Sequence, residues 1–124
     1  AKDAAAGMLY LEQQKIVHRD LALRNLLASP NNGKFTVKVS DFGLSRQIKE
    51  EGFYMKPETN GIPIRWSAPE VLEKGLYSSK SDVWSFGIML WELFTYGKIP
   101  YTGMLNSEVM QRVLAGFRLE CPNG

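Results

Sequence analysis

The sequence contains little cysteine, little histidine and no excess of charge of either sign. Cys121 is the only cysteine, so an internal disulfide cannot form, and no Asn-x-Ser/Thr glycosylation acceptor occurs. These absences argue against a secreted scaffold and favour a reducing compartment. The 15 basic and 13 acidic residues give a net charge of +2, without any long Lys/Arg run. This balance argues against nucleic acid or an anionic membrane surface as the main partner.

The sequence also lacks an apolar run long enough to cross a membrane. Its longest apolar segment, from 83 to 96, is interrupted by Glu92 and is shorter than the roughly 20 residues that a spanning helix needs. We expect instead a helix that is apolar on all sides and buried at the centre of a globular domain. The chain opens in an amphipathic helical pattern with no basic leader before it. We therefore expect no signal peptide and a chain that was cut from a longer one.

The composition is that of a folded chain with mixed secondary structure. With 44% apolar and 23% charged residues, its 124 residues correspond to one domain or part of one. Asn32-Gly33 predicts a hairpin turn, and apolar residues alternate after it at Phe35, Val37 and Val39. A polar stretch from 47 to 60 predicts a long surface loop, and Asn106 predicts the cap of a last helix. The expected fold is mainly α-helical with one short β-hairpin.

Three oxygen-bearing side chains form the most informative cluster. Asp20 and Asn25 are five positions apart in a predicted loop, and Asp41 follows the strand that ends at Ser40. Mg²⁺ prefers a few hard oxygen ligands together with substrate phosphates, so Asn25 and Asp41 are candidate metal ligands and Asp20 is a candidate base. His18 has no companion motif for a catalytic triad or a zinc site, so the residues support neither.

Three motifs follow one another along the chain: His18-Arg19-Asp20 with Asn25, then Asp41-Phe42-Gly43, then Ala68-Pro69-Glu70. In this order and spacing, over essentially all of the chain, they resemble the catalytic domain of protein kinases. Features that resemble the tyrosine branch are Ala22 with Arg24, the stretch 63–70 and the stretch 80–87. Leu23 departs from the receptor-type pattern, which has Ala there. The resemblance implies that residues 1–124 are a partial C-terminal lobe of the protein kinase-like α+β fold.

The resemblance also implies a role for each residue of the cluster. Asp20 would accept the proton of a substrate tyrosine hydroxyl, and Arg24 would hydrogen-bond near the same hydroxyl. Asn25 and Asp41 would bind Mg²⁺ or Mn²⁺ bridging the phosphates of ATP. Asp82 would cap free amides and tie down the backbone around Asp20. The implied partners are ATP and proteins that carry tyrosine, in the cytoplasm, either as a cytosolic kinase or as the intracellular part of a membrane receptor.

Tyr54 lies nine residues before Pro63, where the family carries its regulatory tyrosine. A phosphate there adds a charge of about −1.5 to −2, and Arg19 and Arg46 would pair with it. Pro63 and Trp66 would form the shelf that supports the incoming tyrosine ring. The alternatives are that Tyr54 is an ordinary exposed loop aromatic and that Trp66 is a core residue.

Two parts of an active kinase are missing from the sequence. It contains no Gly-x-Gly-x-x-Gly and no Val-Ala-x-Lys. We therefore expect a fragment of a tyrosine-protein kinase that acts in signal transduction, with the isolated 124 residues inactive. The alternative is a pseudokinase or scaffold fragment that binds partners without catalysis. Asp20, Asn25 and Asp41 favour the enzyme, because a module without ATP has no use for metal ligands.

Overall fold

The computed structural model describes residues 2–31, 34–40, 46–47, 54–55 and 62–121, with the backbone alone at 31, 34–36, 46–47 and 54–55. The helices are α1 (Lys2–Gln13), α2 (Pro69–Lys74), α3 (Ser79–Phe94) and α4 (Asn106–Leu114). The strands are β1 (Ile16–Val17), β2 (Leu26–Asn31), β3 (Lys34–Val39), β4 (Arg46–Gln47), β5 (Tyr54–Met55) and β6 (Leu76–Tyr77). Two 3₁₀ turns span Leu23–Asn25 and Ile64–Trp66. The described part is thus mainly helical, as predicted.

The strands form three separate antiparallel pairs. The predicted hairpin is confirmed, because β2 pairs with β3 in a register that places Asn31 opposite Lys34. The turn residues between them lie outside the described residues. The other two pairs, β1 with β4 and β5 with β6, were not predicted. Each is only two residues long, too short for an alternating pattern to be visible in the sequence.

The long helix α3 begins at a capping box. Ser78 Oγ accepts a hydrogen bond from Lys80 N at 3.1 Å, and Ser81 Oγ accepts one from Ser78 N at 3.0 Å. These bonds satisfy amides that have no partner within the helix. The cap therefore fixes where α3 starts.

The expectation that α3 is buried on all sides is wrong for this chain. Val83 is 62% exposed and Phe94 is 54% exposed. They share one face of the helix with the exposed Gly87, because the three are four and seven positions apart. The opposite face is buried and includes Met89. Among the described residues, no helix is long and apolar enough to cross a membrane.

The helix α1 packs against strand β3 of the hairpin. Asp3 Oδ2 accepts a hydrogen bond from Val37 N at 3.0 Å. A Cβ atom at Gly7 would lie 3.3 Å from Val39 Cγ2, so the missing side chain permits this close approach. The 18–25 segment leads directly into β2, so α1 packs against the hairpin that follows this segment.

Among the described residues, buried apolar side chains of the core pack in three groups. The first contains Val17, Ala68, Val71 and Tyr77, the second Leu72, Tyr101, Val109 and Val113, and the third Ala4, Leu21 and Met89. Trp84 of α3 packs against the first two groups. Because α3 contributes to all three groups, it is the element around which the others are arranged.

The start of α4 differs from its prediction. Leu105, not Asn106, is the residue that precedes the helix, and it makes no side-chain cap. Asn106 Oδ1 instead accepts a hydrogen bond from Arg65 Nε at 3.2 Å. A long-range donor has taken the oxygen that local capping would have used.

Candidate active site

The loop from His18 to Asn25, called the 18–25 loop below, is held by a carboxylate of α3. Asp82 Oδ2 accepts a hydrogen bond from His18 N at 2.7 Å, and Asp82 Oδ1 accepts one from Arg19 N at 3.1 Å. Asp82 is 4% exposed. Burial raises the pKa of this carboxyl above its ordinary value, and the two backbone hydrogen bonds lower it in part. Its carboxylate thus bonds to the 18–25 loop, as the resemblance implied, and not to amides of its own helix.

The imidazole of His18 has a structural place in this loop. His18 Nδ1 accepts a hydrogen bond from Asp20 N at 3.1 Å, and Nε2 lies 2.8 Å from Ser40 O. Since a carbonyl oxygen only accepts, Nε2 carries the proton, and these partners assign the neutral tautomer. The ring is fully buried. It links the 18–25 loop to the end of β3 and is not placed to act as a base.

Asp20 and Arg24 form an ion pair at the rim of the loop. Arg24 Nη2 donates to Asp20 Oδ1 at 2.6 Å, with the Asp20 side chain 16% exposed and the Arg24 side chain 48% exposed. The Arg24 guanidinium also lies over the ring of Trp66, 4.6 Å from its centroid. The pair therefore brings two predicted site residues together and adds Trp66 as a third.

The side chain of Asn25 is oriented by its amide nitrogen. Asn25 Nδ2 donates to Asp20 O at 2.7 Å, and Asn25 is 6% exposed. Asn25 O accepts from both Ser40 N and Ser40 Oγ at 2.8 Å, which fixes the backbone beside the end of β3. No hydrogen bond among the described residues uses Asn25 Oδ1. A hard oxygen fixed in this way has the chemistry that Mg²⁺ requires.

The predicted shelf, the 63–66 turn, is held by hydrogen bonds from its own residues. Arg65 Nη1 donates to Pro100 O at 2.8 Å and to Tyr101 O at 2.9 Å, and Arg65 Nη2 donates to Met104 O. The neighbouring Pro63 is half-buried, and its carbonyl accepts from Ser67 Oγ at 2.8 Å. Arg65 therefore anchors the 63–66 turn to the loop that leads into α4.

Trp66 is held by a residue that the sequence reasoning missed. Its Nε1 donates to Glu92 Oε1, and the same oxygen accepts from Leu23 N at 3.1 Å. In the sequence Glu92 is only the residue that interrupts an apolar run. A carboxylate inside an otherwise apolar helix is the signal that would have found it, because a buried charge needs partners. Trp66 is half-buried and contacts Arg24 and Glu92, so it is not a plain core residue.

Arg19 is buried in a left-handed backbone conformation. Its φ is +73°, and it is 5% exposed. Its guanidinium lies 4.3 Å from the centroid of the Tyr77 ring. Tyr77 is opposite Tyr54 in the register of β5 and β6. The backbone of the predicted phosphorylation site thus pairs with the strand that contains Tyr77, whose ring the Arg19 guanidinium contacts. The side chain of Tyr54 lies outside the described residues.

The remaining predicted residues are described in part or not at all. Arg46 lies opposite Val17 in the register of β4 and β1, one residue before the 18–25 loop. Its side chain, and the whole of Asp41, lie outside the described residues. Within the described ranges, no group of three or more His, Cys, Asp or Glu could hold a metal ion.

Known proteins with similar sequences indicate the family to which the chain belongs. The sequence model of the family described as "Protein tyrosine and serine/threonine kinase" matches residues 1–124. Tyrosine-protein kinase Fer of Mus musculus is 53% identical over 120 residues, which are 97% of this chain and 14% of that protein. Protein-tyrosine kinase 6 of Homo sapiens is 53% identical over 122 residues, or 98% of this chain and 26% of that protein. Tyrosine protein-kinase src-1 of Caenorhabditis elegans is 48% identical over 125 residues, or 100% of this chain and 24% of that protein. The chain thus spans about a quarter or less of the length of these relatives.

Proposed function

Because the chain belongs to the protein tyrosine and serine/threonine kinase family, we propose that it is part of a domain that phosphorylates protein tyrosines. The γ-phosphate of ATP is transferred to the phenol oxygen of the substrate. The observation that carries this proposal is the contact of Asp20, Arg24 and Trp66 at one rim of the 18–25 loop. It combines a candidate base, a cation beside it and an aromatic surface.

In this proposal Asp20 accepts the proton of the tyrosine hydroxyl. Its backbone is fixed by His18 and Asn25, so its carboxylate has a defined position. Arg24 pairs with the same carboxylate, and in this proposal its guanidinium supplies a positive charge next to the substrate oxygen. Phosphoryl transfer depends mainly on positioning and on charge neutralisation, and a placed base adds roughly 10²- to 10⁴-fold.

Asn25 and Asp41 are the proposed ligands of Mg²⁺. The Oδ1 of Asn25 supports this, because the amide nitrogen bonds to Asp20 O and no hydrogen bond among the described residues uses the oxygen. When bound, Mg²⁺ neutralises charge on the ATP phosphates. Asn25 itself holds its oxygen at the end of the same 18–25 loop that carries the base.

Pro63 and Trp66 form the proposed shelf for the tyrosine ring. The contact of Trp66 with Arg24 supports this role, because the indole lies beside the cation that would face the phenol. Tyr54 is the proposed activating phosphorylation site, and Arg19 and Arg46 are its proposed phosphate partners. The register of β5 with β6 and the position of Arg19 over Tyr77 support this assignment. We place the domain in the cytoplasm, where ATP and protein substrates meet.

The test is Asp20→Asn in the complete kinase domain, with Glu108→Gln as the matched control. In the part of the chain that the structure describes, Glu108 pairs only with Arg112, on the surface of α4. We expect Asp20→Asn to lower kcat about 10²- to 10⁴-fold on a tyrosine peptide, with the affinity for a fluorescent MgATP analogue unchanged. Glu108→Gln should retain full activity. Equal rates on serine and tyrosine peptides would refute the tyrosine assignment, and an inactive wild type would favour the scaffold alternative.

A further inference from the structure

The carboxylate of Glu92 connects two parts of the candidate site. Glu92 is 8% exposed and lies in α3. Its Oε1 accepts from the backbone of Leu23, in the 18–25 loop, and from the indole of Trp66, in the 63–66 turn. One buried oxygen therefore sets the distance between two segments that are far apart in sequence.

This contact bears on Arg24 from two sides. Leu23 immediately precedes Arg24, so the bond to Leu23 N fixes the backbone from which the Arg24 side chain extends. Trp66 supplies the ring on which the Arg24 guanidinium lies, at 4.6 Å. Arg24 in turn donates to Asp20 Oδ1. A continuous set of contacts thus runs from the buried carboxylate of α3 to the candidate base.

We propose that Glu92 is a positioning residue that fixes the Arg24–Trp66 contact and thereby the place where the substrate tyrosine ring binds beside Asp20. This rests on the proposed function. Glu92 touches neither the substrate nor the reacting atoms in this assignment. Its role is to accept two hydrogen bonds, so an uncharged acceptor of the same shape can replace it, whereas an apolar side chain cannot.

The experiment compares Glu92→Leu with Glu92→Gln in the complete kinase domain. Glutamine keeps an oxygen that can accept from both donors, while leucine fills the space and leaves the amide of Leu23 and the indole of Trp66 without an acceptor. For Glu92→Leu we expect the KM for a tyrosine peptide to rise about fivefold or more. We expect its kcat/KM to fall about tenfold or more, equivalent to about 1.4 kcal/mol. The KM for MgATP should stay within about twofold. Glu92→Gln should stay close to wild type in all three.

A second comparison tests whether Glu92 acts through Trp66. Trp66→Phe removes the indole donor to Glu92. The matched control is Trp91→Phe, which removes from α3 an indole that donates to Glu120 O. We expect Trp66→Phe to raise the peptide KM and Trp91→Phe to leave it unchanged. In the double variant with Glu92→Leu, the effect of Trp66→Phe should be smaller than in the wild type, because both changes break one contact.

Binding of a fluorescent peptide in which phenylalanine replaces the acceptor tyrosine gives a readout that does not depend on turnover. Weaker binding by Glu92→Leu, restored in Glu92→Gln, supports the proposal. A fall in kcat with both KM values unchanged would mean that leucine only lowers the fraction of folded enzyme, which overturns it. Equal losses in the leucine and glutamine variants would also overturn it. An inactive wild type would instead overturn the proposed function, and the binding assay would still decide the role of Glu92.

Discussion

Replacing Asp82 by alanine should destabilise the complete kinase domain and loosen the 18–25 loop. The change leaves the buried amides of His18 and Arg19 without the acceptor that they have in the structure, at 2.7 and 3.1 Å. A buried donor left without a partner costs about 1–3 kcal/mol, so two cost about 2–6 kcal/mol. Removing a buried carboxylate offsets part of this, and we expect a net loss of about 2–4 kcal/mol. That is a large part of a typical domain stability of about 5–15 kcal/mol.

Urea unfolding measures this loss, with Asp3→Ala as the matched control. Asp3 also accepts one hydrogen bond from a backbone amide, that of Val37, but at an exposed site. Its loss should cost no more than about 1 kcal/mol. With an m value of about 2 kcal/mol/M, the Asp82 variant should shift the midpoint by about 1–2 M. Equal midpoint shifts in the two variants would refute the reasoning, because burial would then make no difference.

The pKa of Asp82 adds a pH dependence with a defined sign. Burial raises its folded-state pKa above the unfolded value of 3.8. The part of its contribution to stability that is linked to proton binding is therefore fully present below the unfolded pKa and is lost as the pH rises through the folded pKa. The hydrogen bonds from His18 N and Arg19 N remain above that pH. The difference in unfolding free energy between wild type and Asp82→Ala should accordingly shrink as the pH rises from below 3.8 through the raised folded-state pKa. A difference that grows with pH would mean that the hydrogen bonds outweigh burial.

Two further predictions concern the proposed shelf and the proposed regulatory tyrosine. Arg65→Lys should lower the free energy of unfolding in urea by about 1–3 kcal/mol, because one ammonium cannot replace three nitrogens that bond to four acceptors. Arg112→Lys, at an exposed ion pair with Glu108, should lower it by under about 0.5 kcal/mol. Similar losses in the two variants would contradict the anchoring role of Arg65. If Tyr54 is phosphorylated as proposed, Tyr54→Phe should lower the activity of the domain after preincubation with MgATP, because phenylalanine cannot carry the phosphate that we propose pairs with Arg19 and Arg46. Equal activity of the two proteins would contradict that role.

The sequence predicted those features that a local pattern or a family motif indicates. The hairpin followed from Asn32-Gly33 and the alternation after it, and β2 and β3 pair in that register. The helix with Asp82 near its start was also predicted, as was the bonding of that carboxylate to the 18–25 loop. In each case a local pattern or a family motif carries the information.

The features that were missed depend on contacts between distant segments. Glu92 lies 26 residues from Trp66 and 69 from Leu23, and nothing in the residues around it indicates either partner. The short strands β5 and β6 pair only because the chain folds back, so two-residue patterns could not reveal them. The exposed face of α3 was missed because an apolar run does not state which of its faces another element covers.

The distances in sequence between the 18–25 loop and its anchors have a consequence for synthesis of the chain. The bonds from His18, Arg19 and Leu23 reach acceptors that lie 64, 63 and 69 residues downstream. At about 5–20 residues per second, a ribosome makes these acceptors several seconds after the loop. The loop therefore leaves the ribosome without the partners that fix its shape, and it acquires its final geometry only once residue 92 has emerged and α3 has docked. A nascent chain stalled before that point would carry every residue of the 18–25 motif and still lack the arrangement of the site.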